Sequence, residues 1–228
     1  MTREPAHQHG ARDLAGSGLP ESTVDASDGV AAQWDELYAN TAQMSSGRPS
    51  PALVTEVSGL RPGRALDVGC GEGADAVWLA GHGWTVTAVE VSQVALTRAA
   101  LRAQDAAVQV QWVHAGLVDA QLPSAGFDLV SVQYPALPSS AGRDAERALL
   151  AAVAPQGLLL VVHHVGFNGQ EAKSHGFDAA DYVSPTDVVD ALLDEDWHVQ
   201  IDTRRPSEAP VGPLQHTHDV VLRARRPS

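Results

Sequence analysis

Apolar and polar positions follow two spacings along most of this chain, and the two spacings alternate. Short apolar runs bounded by glycine or polar residues indicate strands, whereas apolar residues three or four positions apart indicate helices. The predicted strands cover residues 64–68, 84–89, 108–113, 127–133, 157–163, 197–203 and 217–223. Strands that alternate with helices are typical of parallel βαβ units with helices on both faces of a sheet.

Helices are predicted between these strands and ahead of the first one. They cover residues 30–39, a segment that starts at Pro51, and residues 73–81, 92–103, 143–153 and 184–193. Ser50 and Ser184 come directly before helices that have proline in the first turn. Serine in this preceding position can cap a helix. The fifth strand is unusually apolar, as expected of a buried parallel strand. No helix-length segment separates the last two strands, so the last strand is predicted to be antiparallel. The expected fold class is therefore α/β, a doubly wound and mostly parallel sheet of about seven strands.

The first 28 residues differ from the rest of the chain. They are rich in small and acidic residues and contain hardly any large apolar side chain. Such a segment cannot offset its ordering entropy by burial. We therefore expect a disordered tail over residues 1–28 and one folded domain over residues 29–228.

Composition narrows the classes of protein that this chain can represent. Its 228 residues, 44% of them hydrophobic, suffice for a sizeable core, and no apolar run approaches the length that a bilayer requires. The single cysteine, Cys70, excludes an internal disulfide framework, and the polar start lacks the order of a secretion signal. We expect a cytoplasmic protein without a membrane partner.

The charge balance bears on the choice of partner. There are 15 Lys and Arg residues against 28 Asp and Glu residues, which gives a formal net charge of -13. Phosphate backbones bind proteins that cluster basic side chains, so this balance disfavours a nucleic-acid partner. A nucleic-acid substrate is therefore the less favoured possibility.

The most informative segment is residues 65–73, where the first predicted strand runs into a glycine-rich turn. Gly69, Gly71 and Gly73 alternate with Cys70 and Glu72, and a helix follows directly. Glycine lets a ligand approach the backbone closely, and free amides at the start of a helix can face electronegative groups. This turn at the carboxyl end of a strand therefore predicts a cofactor site.

The strand, Asp67 and the three glycines resemble the first motif of class I S-adenosylmethionine-dependent methyltransferases, which have a Rossmann-like fold. The resemblance continues to Glu90, an acid at the end of the second strand. A weaker similarity, from about Trp34 onward, is to the small-molecule subgroup that includes tellurite-resistance-like and thiopurine-like methyltransferases. The residues that carry this similarity are Trp34, Tyr38 and residues 46–49 and 127–130.

The resemblance implies S-adenosylmethionine as the cofactor and assigns roles to residues of the motif. Asp67 and the backbone at Gly69 and Gly71 would hold the methionine amino end, while Glu90, followed by Val91, would hold the ribose. Two members of the motif have other readings. Gly73 either contributes to the cofactor site or lets the helix pack close to the strand, and Cys70 is interpreted as a small filler.

The adenine end departs from the family pattern. Relatives often have Ala-Asp-Leu after the third strand, whereas this chain has Ala115-Gly116-Leu117. The usual carboxylate acceptor for the adenine amine is therefore absent. Either the backbone at Gly116 and Leu117 or the nearby Asp119 would have to replace it.

Four further residues are candidates for the rest of the site. Gln133 and Tyr134 follow the fourth strand, where relatives line the pocket between cofactor and acceptor, although both can equally be ordinary loop residues. Trp34 and Tyr38 lie one helical turn apart, so they either close over the cofactor or bury one face of a packing helix. Arg48 is a candidate partner for the methionine carboxylate, or a surface arginine.

Methyl transfer from a sulfonium is an in-line displacement, so the protein mainly positions the reactants and excludes water. A base is needed only when the acceptor is protonated. The weak catalytic candidates are His163, His164 and Tyr134, and strand alternation directs the two histidines to opposite faces. His216 and His218 could share a strand face, but two ligands do not make a site, so no metal is predicted.

Three other functions compete with this one. A nicotinamide enzyme also has glycines after its first strand and an acid after its second. A nucleic-acid methyltransferase is disfavoured by the charge and by Val132-Gln133-Tyr134-Pro135, which does not resemble the Asn-Pro-Pro-Tyr of base-modifying enzymes. The third is a non-catalytic module that binds S-adenosylmethionine. The sequence identifies neither the acceptor nor the oligomeric state.

Overall fold

The strands form a single mixed sheet with helices on both of its faces. The computed structural model describes residues 26–165, 179–193, 196–206 and 218–228. The strands are β1 (Arg64–Val68), β2 (Thr85–Glu90), β3 (Gln111–His114), β4 (Phe127–Gln133), β5 (Val153–Val165), β6 (His198–Pro206) and β7 (His218–Arg225). The helices are α1 (Ala26–Asn40), α2 (Pro51–Val57), α3 (Ala74–Gly81), α4 (Gln93–Asp105), α5 (Asp144–Ala152) and α6 (Pro185–Leu192), with a 3₁₀ turn at Ala179–Asp181.

The order of the strands is β3-β2-β1-β4-β5-β7-β6. The first five strands of the chain pair in parallel, and β7 lies between β5 and β6, antiparallel to both. The predicted fold class, including the antiparallel last strand, is confirmed. The predicted tail lies almost entirely outside the described residues, since α1 begins at Ala26, and the glycine-rich loop after β5 also lies outside them.

Serine side chains start two of the helices, and a third serine has a different role. Ser92 accepts a hydrogen bond from the amide of Ala95 at 3.1 Å and so caps α4. Ser184 and Asp187 form a reciprocal capping box at α6. Ser50 occupies the cap position of α2, but its hydroxyl makes no capping bond. It donates instead to Gln133 Oε1 at 2.8 Å, which ties α2 to the end of β4.

The sheet is buried on both faces. Side chains alternate along each central strand, so neighbouring residues pack against helices on opposite sides. On β5, Leu159 and Val161 pack with α5 and α6, whereas Leu158, Leu160 and Val162 pack with α2 and α3. This alternation explains why β5 is apolar at nearly every position. The core therefore fixes the sheet from both sides and leaves the carboxyl ends of the strands to carry a site.

The direction of winding reverses between β1 and β4, which are neighbours in the sheet. A reversal of this kind opens a crevice beyond the carboxyl ends of the two strands. Within the described residues, no helix combines the length and the apolar content that crossing a bilayer needs.

Candidate functional site

A cavity of about 800 Å³ lies at the carboxyl ends of β1, β2 and β4. Its volume is within the range typical of cofactor and small-molecule pockets. Of the residues predicted from the sequence, eight line it: Trp34, Tyr38, Gly69, Glu90, Val91, Gly116, Leu117 and Tyr134. Helix α1 and the loops after β3 and β4 complete the wall.

Glu90 is the principal acid of the cavity wall. Its Oε2 accepts a hydrogen bond from the amide of Gly71 at 2.9 Å, and its Oε1 accepts one from the amide of Ser92 at 2.9 Å. Burial raises the pKa of this carboxyl, and the amide bonds oppose the shift. Each carboxylate oxygen has two acceptor positions, so the orientation fixed by these amides leaves capacity for a pair of ligand hydroxyls.

Asp67 lies one layer below the cavity wall, on β1. It is 2% exposed, and within the described part of the chain its Oδ2 has no hydrogen-bond partner. Burial, and then the neighbouring Asp75, raise the pKa of Asp67, while the amide of Ala76 donates to it and opposes the shift. A buried carboxylate oxygen without a donor, beside a glycine turn, fits a cationic group of a ligand.

Asp75 connects the same turn to helix α2. Its Oδ1 accepts from the amide of Ser50 at 2.6 Å. Burial raises the pKa of Asp75 to about 6. The contact with Ser50 shows that Asp75 holds α2 against the start of α3.

The three glycines of the turn have different surroundings. Gly69, with φ +67°, lines the cavity, and a Cβ there would meet nothing within 4 Å. Gly71 is covered by Tyr38, whose Oη would lie 2.8 Å from a Cβ at that position. Gly73 faces α4, where a Cβ would lie 2.7 Å from Cβ of Ala99. The structure therefore places Gly73 at a helix contact and not on the cavity wall.

Cys70 and Gln133 lie beside the cavity and not on its wall. Burial raises the pKa of the Cys70 thiol well above its ordinary value, which suits the interpretation of Cys70 as a neutral filler. Gln133 accepts from Ser50 and donates to Ser131 Oγ at 3.1 Å. Gln133 and Tyr134 were both expected to line the pocket, but of the two only Tyr134 does so.

Asp119 occupies space next to the glycine that replaces the family acid. Its Oδ2 lies 3.4 Å from the point where a Cβ of Gly116 would be, and both residues line the cavity. The Asp119 amide also donates to the Gly116 carbonyl at 3.1 Å. A carboxylate is thus present at this end of the cavity although the expected position lacks one.

Trp34 and Tyr38 lie on the face of α1 that closes one side of the cavity. Their ring centroids are 6.1 Å apart, and Tyr38 is 8% exposed. Asp35, between them, accepts from Ser92 Oγ at 2.6 Å and from the Val94 amide at 3.1 Å. The start of α4 therefore anchors α1 above the cavity.

A second anchor, which the sequence interpretation missed, is the pair formed by Arg98 and Glu72. Arg98 Nη1 contacts Glu72 Oε1 at 2.9 Å, and the same guanidinium donates to the carbonyls of Tyr38 and Thr41. Glu72 also accepts from the amide and the hydroxyl of Ser45. Although burial alone raises its pKa, these bonds hold the pKa of Glu72 below its ordinary value. The glycine turn is thereby fastened to the end of α1.

The catalytic candidates are not equivalent in the structure. Tyr134 lines the cavity with φ +51°, and its hydroxyl donates to Asp219 Oδ2 at 2.9 Å. Burial, followed by the charge of Asp219, raises the pKa of Tyr134, so its hydroxyl keeps its proton at neutral pH. His163 lies on the face of β5 that packs against α6, near Asp187, and does not line the cavity. The side chain of His164 is outside the described part of the structure.

Two further questions from the sequence concern Arg48 and a possible metal site. Arg48 is exposed and does not line the cavity. Within the described ranges, no group of three or more His, Cys, Asp and Glu side chains could hold a metal ion. His216 is outside those ranges.

Comparison with known proteins agrees with this geometry. Residues 65–157 match the model of a family described as "Methyltransferase domain". An uncharacterized methyltransferase of Mycobacterium tuberculosis is 40% identical over 100 residues, which are 44% of this chain and 50% of that protein. This chain therefore matches about half the length of its curated relative.

Solved structures share the fold over most of the chain. One, from work on the conversion of a disulfide bond into a thioacetal group during echinomycin biosynthesis, has a TM-score of 0.67 at 24% identity, covering 86% of this chain and 93% of that one. Another is the N-methyltransferase NodS of Bradyrhizobium japonicum with S-adenosylhomocysteine, with a TM-score of 0.65 at 18% identity, covering 87% and 99%.

The fold is that of the Rossmann-like S-adenosylmethionine-dependent methyltransferases. The domain match covers residues 65–157, and the solved structures show the same fold over most of the chain.

Proposed function

We propose that this chain transfers a methyl group from S-adenosylmethionine to a small-molecule acceptor by in-line displacement. The observation that carries the proposal is one continuous cavity of about 800 Å³, with Glu90 and the glycine turn at one end and the loop after Tyr134 at the other. A cofactor at the first end would leave room for an acceptor at the second. The weaker resemblance to small-molecule methyltransferases supports an acceptor of small size.

The residues of the first end suit the parts of the cofactor. Glu90, oriented by two amides, would accept from the ribose hydroxyls. The buried Asp67 and the turn at Gly69 would serve the methionine ammonium. Asp119 would accept from the adenine amine in place of an acid at position 116.

The bound cofactor would supply the methyl group as an activated electrophile. The task of the chain is then to align the acceptor and to keep water out. Trp34 and Tyr38 form a cover on one side, and the anchors from α4 hold that cover in place. Tyr134 can position an acceptor, but with its proton engaged by Asp219 it is not available as a base.

The comparisons do not favour a non-catalytic binding module, because the named relatives are methyltransferases. A nucleic-acid acceptor is disfavoured by the net charge of -13.

Calorimetric titration of the purified chain with S-adenosylmethionine, S-adenosylhomocysteine and NADH tests the cofactor assignment. We expect both sulfur ligands to bind and NADH not to bind. Glu90→Ala should weaken S-adenosylhomocysteine about 100-fold, because it removes a charged acceptor from a buried site. The matched control Asp144→Ala removes an exposed acid at the other end of the cavity and should leave this affinity unchanged. Tight binding of NADH, or equal effects of the two substitutions, would overturn the assignment.

A further inference from the structure

Most of the residues at the end of the cavity away from Glu90 are apolar. We call it the acceptor end and define it by the lining residues Val30, Ala31, Tyr134, Pro135, Ala136, Leu137, Pro138, Ser139, Ser140, Asp144 and Ala145. The polar side chains among them are few, and the Tyr134 hydroxyl is already bonded to Asp219. The surface that meets an acceptor is therefore mainly aliphatic, with prolines and alanines that cannot donate a side-chain hydrogen bond.

The acids of the cavity wall are not matched by lysine or arginine. Glu90, Asp119 and Asp144 line it together with His114, whose Nε2 lies 2.9 Å from the Val91 carbonyl, and among the described lining residues there is no lysine or arginine. Two basic side chains lie beside the acceptor end: Arg143, which is exposed, and Arg147, which contacts Asp144 Oδ1 at 2.7 Å. The Arg147 side chain is 66% exposed, so it is screened by solvent and directed at a carboxylate, not at the cavity.

Two backbone amides of the acceptor end are already engaged. The amides of Tyr134 and Ser139 donate to the carbonyls of Val162 and Asp181, at 2.8 Å each. Helix α5 begins at the acceptor end, but its first turn contains Asp144 and Glu146. Their carboxylates already complement the positive end of the helix dipole.

From these observations we propose that the acceptor is an apolar small molecule that carries no negative charge. The inference rests on the proposed function, because it takes the first end of the cavity to be filled by the cofactor. An anion that entered the acceptor end would lose hydration and meet no lysine or arginine side chain on the wall, and the carboxylates there would repel it. A neutral apolar body would gain from contact with the same walls.

A matched pair of aromatic amines tests this directly. The pair is 4-propylaniline and 3-(4-aminophenyl)propanoate, which share their nucleophile and shape and differ by a carboxylate. The protein is first saturated with S-adenosylhomocysteine, whose binding is measured separately by calorimetry. Each amine then competes with the neutral dye Nile red, and the fluorescence of the dye reports occupancy of the apolar end. We expect 4-propylaniline to displace the dye at a concentration at least tenfold lower than the carboxylate does.

A charge introduced at the acceptor end should reverse the preference. Ala136→Arg places a cation on the cavity wall, and the carboxylate should then compete better than 4-propylaniline. Leu193→Arg, at a side chain that is 72% exposed and off the cavity, adds the same charge elsewhere and should leave the wild-type order intact.

The outcomes separate the two proposals. If S-adenosylhomocysteine does not bind, the proposed function fails, whatever the dye shows. If it binds but Nile red finds no site that 4-propylaniline can compete for, the apolar acceptor end is overturned. Equal or stronger competition by the carboxylate in the wild-type protein overturns the charge assignment.

Discussion

The two ends of the cavity are built by different means. The cofactor end is held by hydrogen bonds from backbone amides and by buried acids, since Glu90, Asp67 and Glu72 are each 6% exposed or less. The acceptor end consists of a proline-rich loop and one face of α1, with few polar contacts across it. Hydrogen bonds to buried acids fix the first end, whereas apolar contacts make up more of the second.

This difference teaches where the chain can vary. A group that must meet a constant ligand needs fixed donors and acceptors, and substitution there leaves buried partners unsatisfied. An apolar wall tolerates exchange among residues of similar volume. If this comparison holds, substitutions at the cofactor end should cost more stability or affinity than matched substitutions elsewhere.

Gly73→Ala should lower the free energy of unfolding by about 2–4 kcal/mol, because a positive φ and a Cβ contact both disfavour it. A Cβ at position 73 would lie 2.7 Å from Cβ of Ala99, and φ is +78°. The control is Gly59→Ala, where φ is +88° but nothing lies within 4 Å. Strain alone should cost about 1 kcal/mol there. Urea unfolding measures both, and equal losses would contradict a close helix contact at Gly73.

Arg98→Met should cost about 1–3 kcal/mol, since it leaves Glu72 buried without its cation and removes the donors that hold the end of α1. Arg147→Met breaks the exposed pair with Asp144, which solvent screens, and should cost much less. Thermal unfolding compares the two variants. We also expect Arg98→Met, but not Arg147→Met, to weaken S-adenosylhomocysteine, because Tyr38 belongs to the cover.

Asp119→Ala should weaken S-adenosylhomocysteine about tenfold, the loss expected for one hydrogen bond to a partly exposed carboxylate. Glu36→Ala, an exposed acid on α1 that does not line the cavity, serves as the control. Titration calorimetry gives both affinities. An unchanged affinity in Asp119→Ala would return adenine recognition to the backbone at Gly116 and Leu117.

Asp75→Asn should change the pH dependence of stability. The folded-state pKa of Asp75 is raised by burial from 3.8 to about 6, so the native state holds this proton more tightly than the unfolded chain does. Its contribution to stability therefore declines as pH rises from about 4 to about 6 and is constant above that. The difference in unfolding free energy between Asp75→Asn and wild type should therefore favour the variant more at pH 7 than at pH 4. Asp105→Asn, at an exposed position, should show no such trend in urea titrations at the two pH values.

The fold was largely predictable because it is encoded in local patterns. The bounds of β1 and β4 agree with the predicted ones, since each is an apolar run with clear limits. Strand β3 is shorter than predicted, because residues 108–110 have an apolar pattern but do not pair with β2. Strand β5 begins earlier than predicted, where Val153 pairs with Phe127.

The candidate site was predictable only in part. Glu90 and the glycine turn follow from strand ends, which a sequence indicates well. The contact of Arg98 with Glu72 joins residues 26 positions apart, and that of Tyr134 with Asp219 joins residues 85 apart. Contacts of this kind depend on how helices and strands pack, which no local spacing reports. The repeat of Arg98 and Arg102 at one helical turn is a signal that could have drawn attention to that face of α4.

The position of β7 between β5 and β6 affects how the protein is made. A ribosome releases β1 to β5 in an order that lets each of them find a parallel neighbour, but among the described strands β6 pairs with β7 alone. Until β7 has emerged, β6 lacks its pairing partner and the apolar edge of β5 is exposed to other chains. The sheet is therefore completed from the inside once β7 has been made, and a nascent chain stalled before Arg225 would be the form most exposed to aggregation.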